Sequence, residues 1–314
     1  MYINIFDCLN IPPSTPVLQW PGMHMAPKSA LRLALATTFA FFAAELAGGL
    51  WTRSLGLVSD SLHMLLDSTA LGLSLLALTW AERPANPVQT YGFKRAEVLA
   101  AFFNAMLLMG LSAVLIVRAL GRLAEPVAVR ATPMLWIAAA GFAVNLFNLW
   151  LLHRGQAASL NIRSAYLHVL SDCLGSLAVV TAALLIRATG LTLFDSLASL
   201  LISGLILASA VRLFIKTLGV LMEASPSHLS TAEVKDSLSA LPGVTGVHDL
   251  HVWTLTSGFD LLTAHLTVDD PSRGPDLLTR ARAVLRERFG IDHATLQIEP
   301  ESHREACRAN GACP

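Results

Sequence analysis

LVSDSLHMLLDSTALGLSLLALTW, residues 57–80, is the stretch that decides the fold. A helix needs about 20 mainly apolar residues to cross a bilayer, and this stretch is long enough to do so. It nevertheless contains Asp60, His63 and Asp67. Ionisable side chains inside a span are costly in lipid, and they are therefore candidates for function. The stretch predicts a transmembrane helix that carries part of a functional site.

Five further stretches have the same apolar character, and the breaks between the six carry Pro, Gly or charged residues. Small residues are scattered through all of them, as close helix packing in lipid requires. The sequence therefore predicts an α-helical membrane protein with six transmembrane helices, at Leu31–Leu50, Leu57–Trp80, Val98–Leu120, Met134–Leu152, Ser164–Ala188 and Leu191–Ile215.

Composition and charge divide the chain into two parts. Of its 314 residues 54% are hydrophobic and 14% charged, with a mean hydropathy of +0.57, whereas soluble domains carry about 25% charge. This excludes a disordered protein, a nucleic-acid-binding arm and an ordinary soluble enzyme. The first 221 residues hold 9 acidic and 14 basic residues, and the remainder 13 acidic and 8 basic. A membrane domain is therefore followed by an acidic soluble domain.

The soluble part has the pattern of a small α+β domain. Residues 230–234 resemble a helix start, with a capping residue and an acid in the first turn. Val247–Thr256 and Leu261–Val268 alternate apolar and polar residues as half-buried strands do, Pro275–Phe289 has helical spacing, and Ala294–Ile298 is a last short strand. The order α-β-β-α-β predicts a ferredoxin-like sandwich.

Four segments follow from these patterns. We expect a mobile leader at 1–27, a transport domain at 28–221, a cytoplasmic metal-binding and dimerisation domain at 222–302, and a tail with two cysteines at 303–314. Short loops on one side hold nine Lys and Arg residues and those on the other side five, which places both termini in the cytoplasm. Cys8, Cys173, Cys307 and Cys313 are too sparse for a disulfide framework and are expected to be thiols.

Two spans repeat one word, His63-Met-Leu-Leu-Asp67 and His168-Val-Leu-Ser-Asp172. Residues four apart lie on one helix face, so each helix offers one imidazole and one carboxylate at similar depth. Two nitrogens and two oxygens fit a tetrahedral divalent ion, with zinc the natural occupant and Co²⁺, Cd²⁺ or Fe²⁺ also accepted. The alternative is that these groups only hydrogen-bond the helices together. The repetition favours a metal site that protons compete for.

Other polar residues in the spans give weaker signals. Asp60 lies about two turns before Asp67 and could line an entry path. Residues of three other spans either face a wet cavity or pack with satisfied hydrogen bonds; they are Glu45, Asn104, Asn145 and Asn148. Cys173 points about 100° away from Asp172 and is expected to pack rather than bind metal.

The two His-xxx-Asp words, the loop Thr-Tyr-Gly-Phe-Lys-Arg-Ala-Glu at 90–97 and the word His-Asp-Leu-His-Val-Trp at 248–253 resemble the cation diffusion facilitator family, in its zinc-transporting branch. The resemblance runs from about Leu31 to Pro300. It implies a homodimer that exports Zn²⁺ from the cytoplasm in exchange for protons, without enzymatic chemistry. Divalent metal ions, protons and membrane lipid are then the partners, and no nucleic acid is expected.

The resemblance also implies a metal site in the soluble domain at 222–302, which is called the tail below. His248, His265 and Glu299 occupy metal-binding positions, and His293, Cys307 or Cys313 could complete the set. Gln297 replaces a histidine of the binuclear version, so we expect one regulatory ion; the alternative is merely exposed strand histidines. His248 and His251 are three apart and point to opposite faces unless a bulge intervenes.

Two further positions are compared with the family. Arg95 and Glu223 match residues that form an interlocking charge pair in related transporters, and the alternative is two solvated charges. The loop between spans 2 and 3 often carries a second metal site, but Asn86, Gln89 and Phe93 are poor ligands, so that site is predicted to be absent.

Two rival functions are a membrane metal sensor that binds without transporting and an intramembrane zinc protease. The protease is disfavoured because no His-Glu-x-x-His word occurs. The sequence contains no phosphate-binding loop motif, so nothing in it indicates that nucleotide is used. The cell (inner) membrane is the expected location because no organelle signal is legible.

Overall fold

The computed structural model describes residues 27–81, 83–153 and 160–302; within these ranges the side chains of 27–38, 71, 74–75, 78, 160–165 and 168 are not described. All of the predicted leader at 1–27 except Pro27 lies outside the described residues, and so does the segment 303–314; Cys8, Cys307 and Cys313 lie in these parts.

Six long helices form the first part of the chain, at α1 (Pro27–Thr52), α2 (Leu55–Ala81), α3 (Ala96–Ala124), α4 (Ala131–His153), α5 (Leu160–Thr189) and α6 (Leu193–Leu221). By length and composition, four stretches among the described residues can cross a membrane: α3, α4, Val169–Thr189 of α5, and α6. The described apolar part of α1 is Phe39–Thr52. The predicted helical transmembrane domain is confirmed.

The second part has the element order α7 (Thr231–Ser239), β1 (Val244–Thr256), β2 (Phe259–Val268), a 3₁₀ turn (Pro271–Arg273), α8 (Gly274–Phe289) and β3 (His293–Pro300). This is the predicted αββαβ order, and the ends of the strands and of α8 lie within three residues of the predicted ones. The helix start at residue 230 is also as predicted, because the Ser230 hydroxyl accepts a hydrogen bond from the Glu233 backbone N–H.

By packing, the chain forms two compact units. Among the described residues, the first unit lies within 27–75 and 103–214, and the second lies within 76–102 and 215–302. The end of α2, the beginning of α3 and the end of α6 therefore fall in the second unit. The domain bounds expected from the sequence, with a boundary after residue 221, stay a prediction.

Close packing in the first unit follows from small residues. A Cβ atom on Gly48 of α1 would lie 2.5 Å from Ile137 Cδ1 of α4, and one on Gly141 of α4 would lie 2.6 Å from Phe41 Cε1 of α1. Only glycine permits this approach of the two helices, as in other membrane bundles. Large apolar side chains of α2, α4, α5 and α6 fill the core, among them Leu57, Met134, Val179 and Ile202.

The beginning of α2 is fixed by a residue from α6. Asp195, 1% exposed, accepts hydrogen bonds from the Ser54 hydroxyl at 2.5 Å and from the backbone N–H groups of Leu55 at 2.7 Å and Gly56 at 3.0 Å. A carboxylate at a helix N-terminus satisfies free N–H groups and complements the helix dipole. This non-local cap positions the helix that carries His63 and Asp67.

The tail sheet has the order β1-β2-β3, with β1 and β2 antiparallel and β2 and β3 parallel. Alternate β2 residues Leu262, Ala264 and Leu266 join a core with side chains of α7 and α8. Since side chains alternate along a strand, the intervening His265 points to the face away from the helices. The candidate tail site lies on that face.

Candidate metal sites

Three predicted ligands of the first unit lie together. His63 Nε2 is 3.3 Å from Asp67 Oδ2 on the same helix and 3.7 Å from Asp172 Oδ1 on α5. One ligand atom from each residue lies within 4.8 Å of the other two. The side chains of His63, Asp67 and Asp172 are 19%, 13% and 6% exposed. A divalent ion could contact one nitrogen and two oxygens here.

The fourth predicted ligand, His168, has its backbone on α5 one helical turn before Asp172, but its side chain is outside the described residues. The spacing of four keeps both residues on one face of α5. Its part in the site remains a prediction.

A chain of buried polar groups joins α4, α5 and α2. The Asn145 side-chain N–H donates to the Ser176 hydroxyl at 3.0 Å, and that hydroxyl donates to Asp60 Oδ2 at 3.0 Å. Asp60 and Glu45 are each 1% exposed. The contacts of Asn145 are those of a packed interhelical hydrogen bond, one of the two alternatives considered above. Asp60 is similarly tied to α5 through Ser176, and its place on an entry path remains a prediction.

The tail holds the second group, His248, His265 and Glu299. His248 and His265 are directly paired residues on β1 and β2, with ring centroids 5.2 Å apart. His248 Nε2 is 2.8 Å from Glu299 Oε1, and His265 Nδ1 is 3.5 Å from Glu299 Oε2. Glu299 lies on β3 and is 3% exposed. Three neighbouring strands thus bring two imidazoles and one carboxylate together.

The donor set of the tail group fits a divalent metal ion. His248 Nε2, His265 Nδ1 and Glu299 Oε1 are buried, and none makes a well-formed hydrogen bond within the described part of the chain. Buried polar atoms are normally hydrogen-bonded, so atoms that converge without such bonds require an explanation. Two imidazole nitrogens and a carboxylate oxygen are zinc ligands, and a bound ion would satisfy all three.

The structure does not bring His293 to this group. His293 pairs with Leu261 at the beginning of β3, whereas Gln297 pairs with His265. Glu299 lies six positions after His293 along this extended strand, a distance of about 20 Å. The His293 ring instead contacts Tyr91 at 5.9 Å and Phe259 at 6.0 Å between centroids.

Gln297 serves the tail group as a hydrogen-bond donor. Its side-chain N–H donates to Glu299 Oε2 at 3.1 Å. An amide at this position orients the carboxylate of Glu299 rather than adding a strong ligand.

The beginning of α3 contacts the tail within the second unit. Arg95 Nη2 is 2.6 Å from Glu223 Oε1, so these charges form an ion pair rather than two separately solvated groups. Glu97, the acid in the first turn of α3, accepts hydrogen bonds from the Thr256 hydroxyl at 2.7 Å and the Ser257 hydroxyl at 3.0 Å. Sequence reasoning missed Glu97, although it stands in the quoted loop word at 90–97.

Neighbouring loop residues have structural contacts. Asn86 Oδ1 accepts hydrogen bonds from the backbone N–H groups of Val88 and Gln89, at 2.9 and 2.7 Å, which forms a turn. The absence of a metal site in this loop remains a prediction.

A bulge in β1 was left open by the sequence and is present. His248 pairs with His265, but His251 pairs with Thr263, so β1 has one extra residue between them. Asp249 in the bulge has a positive φ of 51°. Sequence reasoning also missed Asp249; its position between the two histidines of the word at 248–253 was the available signal.

Comparison with known proteins gives two family matches. Residues 31–222 match the cation efflux transmembrane domain, and residues 226–301 match the cytoplasmic domain of cation efflux proteins, ZT_dimer. Together they cover most of the chain.

Several curated proteins are similar over nearly their whole length. The metal cation efflux system protein CzcD of Cupriavidus metallidurans is 40% identical over 91% of each chain. The cadmium, cobalt and zinc/H(+)-K(+) antiporter of Bacillus subtilis is 38% identical over 88% of this chain and 91% of its own, and the zinc transporter ZitB of Pectobacterium atrosepticum is 38% identical over 86% and 84%. A solved structure, the metal-bound C-terminal domain of CzcD, is 39% identical over 23% of this chain and 99% of its own, with a TM-score of 0.22.

Proposed function

Because this chain belongs to the cation diffusion facilitator (cation efflux) family, we propose that it exports Zn²⁺ from the cytoplasm in exchange for protons. It is an integral membrane protein, it belongs to a family of transporters rather than enzymes, and its substrates are divalent metal ions. A dimerisation domain is present.

The convergence of His63, Asp67 and Asp172 carries the proposal. Each residue comes from a predicted ligand word, and the two words lie on different helices. With His168 as the fourth ligand, the site would offer the two nitrogens and two oxygens that suit tetrahedral Zn²⁺. Cd²⁺, Co²⁺ and Fe²⁺ accept the same donors, and zinc is favoured by this ligand set and by the names of several relatives.

Proton coupling follows from the chemistry of the ligands. Imidazole and carboxylate bind metal only when deprotonated, so metal entry from the cytoplasm displaces protons. When the site opens to the other side, protons compete with the metal, and imidazole titrates near physiological pH. The protonated site then returns. Alternating access of this kind uses the proton gradient and no nucleotide.

The tail is proposed as a metal-dependent regulator in a homodimer. An ion at His248, His265 and Glu299 that binds one tail arrangement better than another shifts the population toward that arrangement. The proposal also places both termini in the cytoplasm and the protein in the cell (inner) membrane. Within the second unit, Glu97 accepts a hydrogen bond from Thr256 of the tail, and Arg95 pairs with Glu223 just after α6.

Flux into proteoliposomes tests the transport proposal. We expect a zinc-sensitive dye inside the vesicles to report zinc uptake that follows an imposed pH difference. The uptake should disappear in His168→Ala and Asp172→Ala. Ser171→Ala is the matched control, because the Ser171 hydroxyl donates to the Leu167 carbonyl of its own helix at 3.2 Å and Ser171 neighbours Asp172 without belonging to the cluster.

Each other outcome has a definite meaning. Zinc binding without uptake in the wild type would favour the metal sensor. Uptake that is indifferent to the pH difference would overturn proton coupling while leaving metal transport intact. Full uptake by Asp172→Ala would exclude the proposed site.

The regulator is tested separately in vesicles with buffered metal. Replacing His248 and His265 by Ala should change the metal concentration for half-maximal transport, or the rate, without abolishing transport. If both quantities remain at wild-type values, the tail is not a regulator.

A further inference from the structure

Behind the tail metal group lies a second carboxylate. Asp249 Oδ2 is 3.6 Å from His265 Nε2, while the other ring nitrogen, Nδ1, is 3.5 Å from Glu299 Oε2. The two nitrogens of one imidazole thus face two different carboxylates. Nδ1 is the nitrogen near Glu299, whose other oxygen lies 2.8 Å from His248 Nε2.

Asp249 reaches this position because of the bulge. In a regular strand, residue 249 would point to the sheet face opposite to His248. The extra residue and the positive φ of 51° change the direction of the chain there. Residues with positive φ outside glycine are uncommon and indicate a local constraint.

A third histidine contacts the same carboxylate. His251 Nε2 is 3.0 Å from Asp249 Oδ1, so each oxygen of Asp249 faces a different imidazole. The exposed fractions are 53% for His251, 25% for Asp249 and 24% for His265. His251, Asp249 and His265 therefore form a series of contacts from the exposed bulge to the buried Glu299.

We propose that Asp249 is the positioning residue of the tail metal site, and that His251 restrains Asp249. A histidine that binds metal through one nitrogen commonly donates its other N–H to a carboxylate, which fixes the tautomer and ring orientation and makes the ligand more basic. In the metal-bound site, Asp249 would accept a hydrogen bond from Nε2–H of His265 and so keep Nδ1 directed at the metal. This inference rests on the tail site proposed above.

The 3.6 Å separation is longer than a hydrogen bond. A metal ion on Nδ1 withdraws electron density from the ring and makes Nε2–H a stronger donor. A charge-assisted hydrogen bond to Asp249 forms at shorter distance. Binding of the metal and closing of this contact therefore strengthen each other.

The backbone of Asp249 supplies matched variants. Asn and Gly both tolerate positive φ, so Asp249→Asn and Asp249→Gly keep the bulge. Asn retains a neutral oxygen that can accept from Nε2–H, and Gly retains none. A purely structural role for residue 249 would leave metal binding unchanged in both.

Metal binding is measured on the full-length protein in detergent, with Asp172→Ala present throughout to remove the proposed membrane site. Zn²⁺ is titrated against a competing chelator, and Co²⁺ binding is followed by visible absorption. We expect Asp249→Gly to weaken tail binding about 10- to 100-fold, as outer-shell changes do, with Asn intermediate. The absorption bands of bound Co²⁺ should shift, and His251→Gln should have a smaller effect than Gly at 249.

The outcomes separate this inference from the proposed tail site. If the Asp172→Ala protein binds no ion, or if adding His265→Ala leaves binding unchanged, the tail site itself is wrong and the inference falls with it. If that site binds and both Asp249 variants retain its affinity, only the positioning role is wrong. If Asp249→Gly lowers the metal affinity but leaves the Co²⁺ absorption bands unchanged, and Asp249→Asn keeps the wild-type affinity, the effect comes from the backbone and the inference is overturned.

Discussion

The two candidate metal sites use similar side chains on different scaffolds. In the membrane unit, the ligands repeat at a spacing of four on two helices, and the words themselves indicate that they share a face. In the tail, His248, His265 and Glu299 come from three strands and no spacing within one segment unites them. The first arrangement can be recognised from local sequence, whereas the second depends on strand register.

The N-terminal caps of α7 and α2 differ in the same way, one being local in sequence and the other distant. α7 is capped by Ser230, the residue just before it, as its sequence predicts. α2 is capped by Asp195, which is 140 residues away from Leu55 in sequence. A local cap stabilises one helix, while this distant cap also joins α2 to α6.

The sharpest test of the comparison removes one ligand from each site. Asp172→Ala should reduce zinc transport by more than the roughly 10- to 100-fold typical of outer-shell changes, because it deletes a proposed ligand of the transported ion. His248→Ala should change the metal dependence by only a few-fold. Initial rates over a range of buffered zinc concentrations measure both. Equal losses in the two variants would mean that the sites do not differ in role.

Removing the distant cap should have the next largest effect. Asp195→Ala leaves the Ser54 hydroxyl and two backbone N–H groups without their acceptor. It also removes the carboxylate 3.5 Å from Arg122, which keeps its hydrogen bond to the Arg53 carbonyl. We expect a loss of about 3–5 kcal/mol in the free energy of unfolding of the membrane unit, as for a broken buried pair.

Thermal melting in detergent measures this effect. Asp276→Ala is the control, because it removes a carboxylate from an exposed pair with Arg280 and should cost at most about 1 kcal/mol. A melting temperature of Asp195→Ala equal to that of the control would show that the cap is not needed.

Removing the local cap should have a smaller and more confined effect. Ser230→Ala deletes the acceptor for Glu233 N–H and should reduce tail stability by about 1 kcal/mol. Because the cap serves only α7, zinc flux should remain at the wild-type level. Denaturant unfolding of the tail, followed beside transport, checks both expectations, and a large loss of flux would contradict the local role.

The smallest expected effect is a pH dependence confined to the tail. Hydrogen bonds from the Ser272 hydroxyl and backbone N–H lower the pKa of Asp270, so its ionised form is favoured in the folded state. This contribution is fully present above the ordinary aspartate pKa, about 3.9, and is lost as pH falls through the lowered pKa.

In Asp270→Asn, the free energy of unfolding of the tail should therefore fall less steeply with acid than in the wild type. Its dependence on pH near neutrality should be unchanged. Unfolding measured between neutral pH and about pH 3 tests the sign. A variant whose stability falls more steeply with acid than the wild type would contradict the lowered pKa.

The sequence determined the elements because their signals are local. Apolar stretches predicted the six helices, alternation predicted β1 and β2, and the repeated words supplied His63, Asp67 and Asp172 for one cluster. The charge contrast and the family words also predicted the order of the two parts. Each of these signals lies within one segment of the chain.

Only the tertiary structure decided which distant groups meet. The parallel register of β2 and β3 placed Gln297 opposite His265 and left His293 beside Tyr91. The bulge turned Asp249 toward His265, and the packing of α6 brought Asp195 to the beginning of α2. Register, backbone turns and helix packing follow from the summed burial of many residues, so no single motif specifies them.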